Sequence, residues 1–158
     1  MRSPRFHPRV LGYLGRALSL EYSAVQQYMT QASLTEAWGL TEAAARLRQE
    51  TVEELRHAER IVQRMLQLGV APNASQLRPA GVARNLVDLL LQDAELETEI
   101  VALYEEAARF CERLGDEEHA TFFDELWQEE VAHAQALRDW LATLGVPLAH
   151  DEGERVYF

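Results

Sequence analysis

The chain has 158 residues, enough for one domain with a sizeable core. Its formal charge of −11 excludes a nucleic-acid binder working through a basic face, and no apolar run reaches the length of a membrane span. A single cysteine, Cys111, excludes an intrachain disulfide, and the basic start "MRSPRFHPRV" leads into no clean apolar leader, so a soluble, cytoplasmic protein is expected.

Apolar residues recur at helical spacing in four long segments. The first is predicted from about Pro8 to Trp38, where Gly39 ends it and Thr41 can cap the next. The second runs from Thr41 to Leu68 and stops at Gly69; the linker "VAPNASQLRPAG" follows, rich in turn-forming residues. The third is predicted from about Val82 to Leu114, closed by Gly115, and the fourth from an Asp116 N-cap to Leu144, before "GVP". Very short turns at Gly39 and Gly115 make two antiparallel hairpins, and the long linker can return along the bundle. The fold expected is all-α, a ferritin-like four-helix bundle over residues 1–145 with a non-helical tail over 146–158.

The two halves repeat. Residues 76 apart pair Glu21 with Glu97, Tyr28 with Tyr104, Glu54 with Glu130 and His57 with His133. The last two pairs lie in "EELRHAERI" and "EEVAHAQAL", each a Glu-x-x-His that puts acid and imidazole on one helix face. Leu18, Val25 and Tyr28 mark an inward stripe that includes Glu21; Val101 and Tyr104 do the same for Glu97. Burying four carboxylates beside two imidazoles is costly unless cations compensate. One Glu from each of two helices and one Glu-x-x-His from each of the other two is the donor set of a dinuclear metal site in a helix bundle.

The stretches "EYSAVQQY", "WGL", "EELRHAERI", "QDAELETEI" and "EEVAH" resemble the bacterioferritins over residues 8–145. The resemblance implies a ferroxidase centre of two iron ions per subunit bound by Glu21, Glu54, His57, Glu97, Glu130 and His133, with Glu54 and Glu130 bridging. It implies Fe(II) oxidation by O2 or H2O2 and storage of the ferric product, in a homo-oligomer built from dimers, and it leaves room for a ferredoxin-type electron donor. Three positions depart from the family. Leu55 stands where the family's haem-binding Met would be, which speaks against haem; Gln49 replaces a His associated with iron at the inner surface; and "VPLAHDEGERVYF" offers no counterpart of the fifth helix.

Tyr28 is assigned a catalytic role beside the metals, as a radical relay or as a hydrogen-bond donor to a ligand carboxylate, and Tyr104 is a weaker candidate. Cys111, Met29 and Met65 read as core residues, and the three tryptophans as packing or subunit contacts. Glu50, Glu53, Glu95 and Glu129 read as solvated acids, one or two of which could guide iron inward. His7, His119 and His150 read as surface residues. The aromatic "RVYF" end is expected to dock on a neighbouring subunit or on its own bundle. The other functions compatible with the residues are a non-storage oxidoreductase, resembling rubrerythrin peroxidases or carrying Mn with or in place of Fe, and a shell or scaffold subunit held together by its metals.

Overall fold

A computed structural model describes residues 6–73 and 76–148. Four helices make up the regular structure of these residues: α1 (Pro8–Ala37), α2 (Thr41–Gln67), α3 (Leu86–Leu114) and α4 (Glu117–Thr143). The expected bundle is therefore present, α1 packing on α2 and α3 on α4 as hairpins, with α1 also lying against α3. Long side chains link α2 to α4: Arg60 pairs with Glu129 at 2.6 Å and Arg64 with Glu118 at 2.5 Å.

The termini follow from local chemistry. His7 caps α1, its Nδ1 accepting from the Arg9 amide at 3.1 Å, and Pro8 fills the first helical position, where no amide donor is needed. Gly115 ends α3 with φ of 76°, a left-handed turn that a side chain would strain. Asp116 caps α4 as predicted, accepting from the His119 amide at 3.1 Å.

Four local expectations are corrected. The N-cap of α2 is Leu40, and Thr41 is already helical. The third helix starts at Leu86 rather than Val82, because the Asn85 side chain accepts from the Asp88 amide at 2.9 Å and fixes the first turn there. His119 is buried rather than on the surface, its ring held by Asp116 at 2.8 Å. Met65 is in the core as expected, but Met29 is 54% exposed. Cys111 is fully buried, and burial first, then the Asp116 charge, push its thiol up to about 11, so it is an inert core residue. The 146–158 tail is described only to Leu148, without regular structure; His150 and "RVYF" lie outside the described residues.

The core is a continuous apolar cluster from Val10 and Leu14 on α1 through Ile61 on α2 and Ile100 on α3 to Phe123 and Leu141 on α4. Set into it are charged and polar side chains with almost no solvent exposure: Glu21, Gln31, Glu54, His57, Asp93, Glu97 and Glu130.

Candidate metal centre

The inward stripes predicted from sequence deliver the acids to one place. On α1 the buried line runs through Leu18, Glu21, Ala24 and Tyr28, with Val25 displaced to a half-buried flank. On α3 it runs through Glu97, Ile100 and Tyr104. Helices α2 and α4 contribute Glu54 with His57 and Glu130 with His133, each pair one turn apart. All four carboxylates are at most 1% exposed.

Donor atoms from these residues fall into two overlapping groups. Glu21, Glu54, His57 and Glu130 each place one ligand atom within 4.8 Å of the others, and so do Glu54, Glu97, Glu130 and His133. Glu54 and Glu130 belong to both. Between the groups the two imidazoles stack, centroids 5.5 Å apart and planes 18° from parallel. The structure thus brings together all six residues named from the sequence, plus Tyr28, whose hydroxyl donates to Glu97 Oε1 at 2.5 Å. Tyr104 repeats that contact in the other half, donating to Glu21 Oε1 at 2.6 Å.

The imidazoles are oriented by a second pair of acids that sequence reasoning set aside. His57 turns Nδ1 to the centre, 2.7 Å from Glu130 Oε1, and Nε2 outward to Glu129 Oε2 at 2.9 Å. His133 does the same, with Nδ1 2.8 Å from Glu54 Oε1 and Nε2 2.7 Å from Glu53 Oε2. A carboxylate on the outer nitrogen holds the proton there and leaves Nδ1 free for a metal, the usual support of a metal-binding histidine. Glu53 and Glu129 are therefore built into the site rather than merely solvated. The signal was present in the sequence as the doubled acid that opens each repeat, Glu53-Glu54 and Glu129-Glu130. Glu50 is half-buried nearby and forms a further group with Glu53 and His133, whereas Glu95 is exposed as expected.

The electrostatics show how much charge this arrangement concentrates. Burial first, then the neighbouring acids, push the Glu54 and Glu130 carboxyls well above their ordinary range. Burial also raises Glu97. Burial acts in the same direction on Glu21, but hydrogen bonding to His57 and Glu54 and the His57 charge outweigh it and hold that carboxyl low. His57 loses from burial and gains more from Glu21 and Glu129, so its imidazole is easier to protonate than usual. Protons here do the work of missing positive charge: the short Nδ1···Oε1 contacts require one on either partner. Even so, Oε2 of Glu21, Glu54, Glu97 and Glu130 is buried without a hydrogen-bond partner. Four orphaned carboxylate oxygens beside two available imidazole nitrogens fit a pair of divalent cations of mixed O/N preference.

Comparison with known proteins agrees with this geometry. The ferritin-like domain family matches residues 11–145. A bacterioferritin of Brucella melitensis is 34% identical over 87% of this chain and 88% of its own length. A second, from Rhodobacter capsulatus, is 33% identical over 82% of this chain and 80% of that one. A solved Rhodobacter capsulatus bacterioferritin superposes with a TM-score of 0.83 at 29% identity, covering 92% of this chain and 98% of that one. That structure is described as having a metal-free dinuclear site and a haem iron on a crystallographic special position. The chain belongs to the bacterioferritins, within the ferritin-like family.

Proposed function

We propose that the chain is a ferroxidase that oxidises Fe(II) with O2 or H2O2 and passes the ferric product to storage. The observation that carries this reading is the pair of buried donor groups sharing Glu54 and Glu130, with four carboxylate oxygens unpartnered. Glu21 and His57 would hold one iron and Glu97 and His133 the other, with Glu54 and Glu130, which belong to both donor groups, shared between them. Each Fe(II) gives up one electron, and the oxidant takes both. Acidic residues suit hard Fe(III) as well as Fe(II), so the same ligands serve before and after electron loss. Manganese fits the same donors and remains an alternative occupant.

Tyr28 is assigned to the catalytic set because its hydroxyl orients Glu97. Haem is not part of the proposal, since Leu55, 51% exposed on α2, has no lone pair for iron. Val52, Leu55 and Leu66 form an exposed apolar stripe on the same helix, which supports assembly of the homo-oligomer from dimers through α2. A cytoplasmic setting is part of the same reading. So is an external reductant of the ferredoxin type for iron release. Among the described residues no helix is long and apolar enough to cross a membrane.

Stopped-flow measurement of Fe(II) oxidation tests the reading. The wild-type protein should show a fast phase that Glu97→Ala removes while the helical circular dichroism is retained. An unchanged fast phase in that variant would reject the site.

A further inference from the structure

The repeat that equates the two halves of the metal centre breaks down immediately beside it. Around Tyr28 stand Gln27, Gln31, Glu50 and Asp93; at the positions 76 residues away in the other half stand Leu103, Ala107, Leu126 and Ala17. Those four counterparts are at most 3% exposed and belong to the apolar core. Within the polar flank Asp93 and Gln31 have no exposure, while Gln27 and Glu50 are half-buried.

This polar flank is not internally satisfied. Gln27 Nε2 donates to Asp93 Oδ1 at 2.7 Å, but Asp93 Oδ2 has no partner. The Gln31 amide faces the same carboxyl, yet neither its nitrogen nor its oxygen completes a hydrogen bond. Leaving such groups dry costs about 1–3 kcal/mol each, so a native fold that keeps three of them beside one another needs a guest. There is room for one. A narrow cavity of about 10 Å³ is lined by Asp93, Tyr28, Glu97, Glu50 and His133, close to the size that admits a single water-sized molecule. Its remaining wall includes Trp140 and Arg46, the guanidinium lying 4.2 Å from the indole centroid. This wall is made of side chains, which can swing aside.

We infer that this pocket docks the oxidant of the metal centre, a small hydroxylic molecule of the class of hydrogen peroxide, with water occupying it at rest. The inference rests on the ferroxidase reading. Peroxide carries two O–H donors and oxygen lone pairs, which the Asp93 carboxyl and the Tyr28 and Glu50 side chains lining the cavity complement, with Gln27 and Gln31 positioning Asp93 from behind; O2 is apolar and gains nothing from them. Burial raises the Asp93 carboxyl to about 7, so near neutral pH it can accept a hydrogen bond from a hydroxylic guest or donate one to it. The pocket borders Glu97 and His133, so its guest lies against one side of the centre, whereas the matching positions in the other half carry buried apolar side chains. In the reaction served, one electron from each of two Fe(II) breaks the O–O bond, and two protons complete two waters.

Two measurements test this. Metal-free crystals should show a water within hydrogen-bond distance of Asp93 Oδ2, replaced by peroxide density after a soak; a pocket empty in both states, or one that keeps its water, would overturn the assignment. In solution, Fe(II) oxidation by H2O2 without air is compared with oxidation by O2. Asp93→Asn, nearly isosteric, and the combination of Gln31→Ala with Gln27→Leu, which copies the apolar flank, should each lower the ratio of the two rates at least about tenfold. Equal losses with both oxidants would overturn the inference and leave the ferroxidase reading standing. A wild-type protein that oxidises Fe(II) with neither oxidant would instead overturn that reading, and the docking assignment with it.

Discussion

In the half that holds Tyr104 the matching positions are hydrocarbon: Ala17, Leu103, Ala107 and Leu126 are buried in the apolar core, and Phe123 lies against the tyrosine ring at 6.4 Å between centroids. Around Tyr28 the corresponding space holds Asp93, Gln27, Gln31 and a small cavity beside Glu97. The candidate ligands, their tyrosine donors and their outer carboxylates repeat almost atom for atom; Tyr28 to Glu97 is 2.5 Å and Tyr104 to Glu21 is 2.6 Å. The cation–π contacts repeat too, with roles exchanged. Arg46 lies over Trp140 and Arg64 over Phe122, and each arginine occupies the other half's aromatic position. The difference teaches that the two-fold pattern is kept in the carboxylate and imidazole donors and abandoned beside them, as the proposed reading of two metal ions and an oxidant docking from one side requires.

The largest effects should come from the shared ligands. If the halves are equivalent at the metals, Glu54→Gln and Glu130→Gln should each remove the fast Fe(II) oxidation by at least about a hundredfold, more than loss of a supporting residue costs. Stopped-flow rates for the two variants side by side decide this, and a loss confined to one of them would show that only one carboxylate bridges.

The supporting carboxylates come next. Glu53→Gln and Glu129→Gln leave all six proposed ligands in place but release the outer imidazole nitrogens, and should weaken divalent-metal binding by about ten- to a hundredfold. Calorimetric titration of the metal-free variants reads this. Equal losses would extend the equivalence of the halves to the imidazole supports.

The pH dependence of stability sharpens the comparison of flanks. Glu54, Glu97, Glu130 and Asp93 bind protons more tightly folded than unfolded, so the metal-free fold loses stability as pH rises through their folded values. His57 acts in the same sense, its contribution being complete below its unfolded value and lost as pH rises through its folded one. Glu21 opposes them, its contribution being lost as pH falls through its lowered value. The net expectation is a metal-free protein more resistant to denaturant near about pH 5 than near about pH 8, with added metal reversing the trend by displacing the protons. Asp93, moved from 3.8 to about 7, supplies on the order of a few kcal/mol of this slope. Urea melts of Asp93→Asn should therefore be flatter with pH, while Ala17→Ser on the opposite flank should leave the slope as it is.

The smallest effects belong to the periphery. Arg46→Ala and Arg64→Ala each remove a partly solvated cation–π contact and should cost about 0.5–1 kcal/mol in the same melts. Arg46→Ala alone should also open the polar pocket to solvent.

Much of this was legible in the chain. The four segments, the left-handed Gly115 stop and the Asp116 cap follow from periodicity and turn chemistry, and the six inward donors from two Glu-x-x-His motifs with their lone partner acids. The start of the third helix is not legible, because the Pro- and Gly-rich linker ends in "VARN", whose apolar residues imitate a helical face; only the Asn85 side chain on the Asp88 amide fixes it. Sequence spacing puts Glu53 and Glu129 beside the inward face, and it does not show that an imidazole from another helix reaches across to them. The Asp93 cluster is hidden in the sequence for a related reason. Gln27, Gln31 and Asp93 look like ordinary polar residues on amphipathic helices until α1 and α3 are packed together and water is excluded.

The most direct test of the central claim is an optical titration of the metal-free protein with Co(II), which takes the same oxygen and nitrogen donors without turning over. The account predicts saturation at about two ions per chain, with Glu130→Gln lowering that count, as expected for a bundle site with bridging carboxylates. Saturation at one ion, or uptake of two that Glu54→Gln and Glu130→Gln both leave unchanged, would contradict a dinuclear centre built on shared carboxylates.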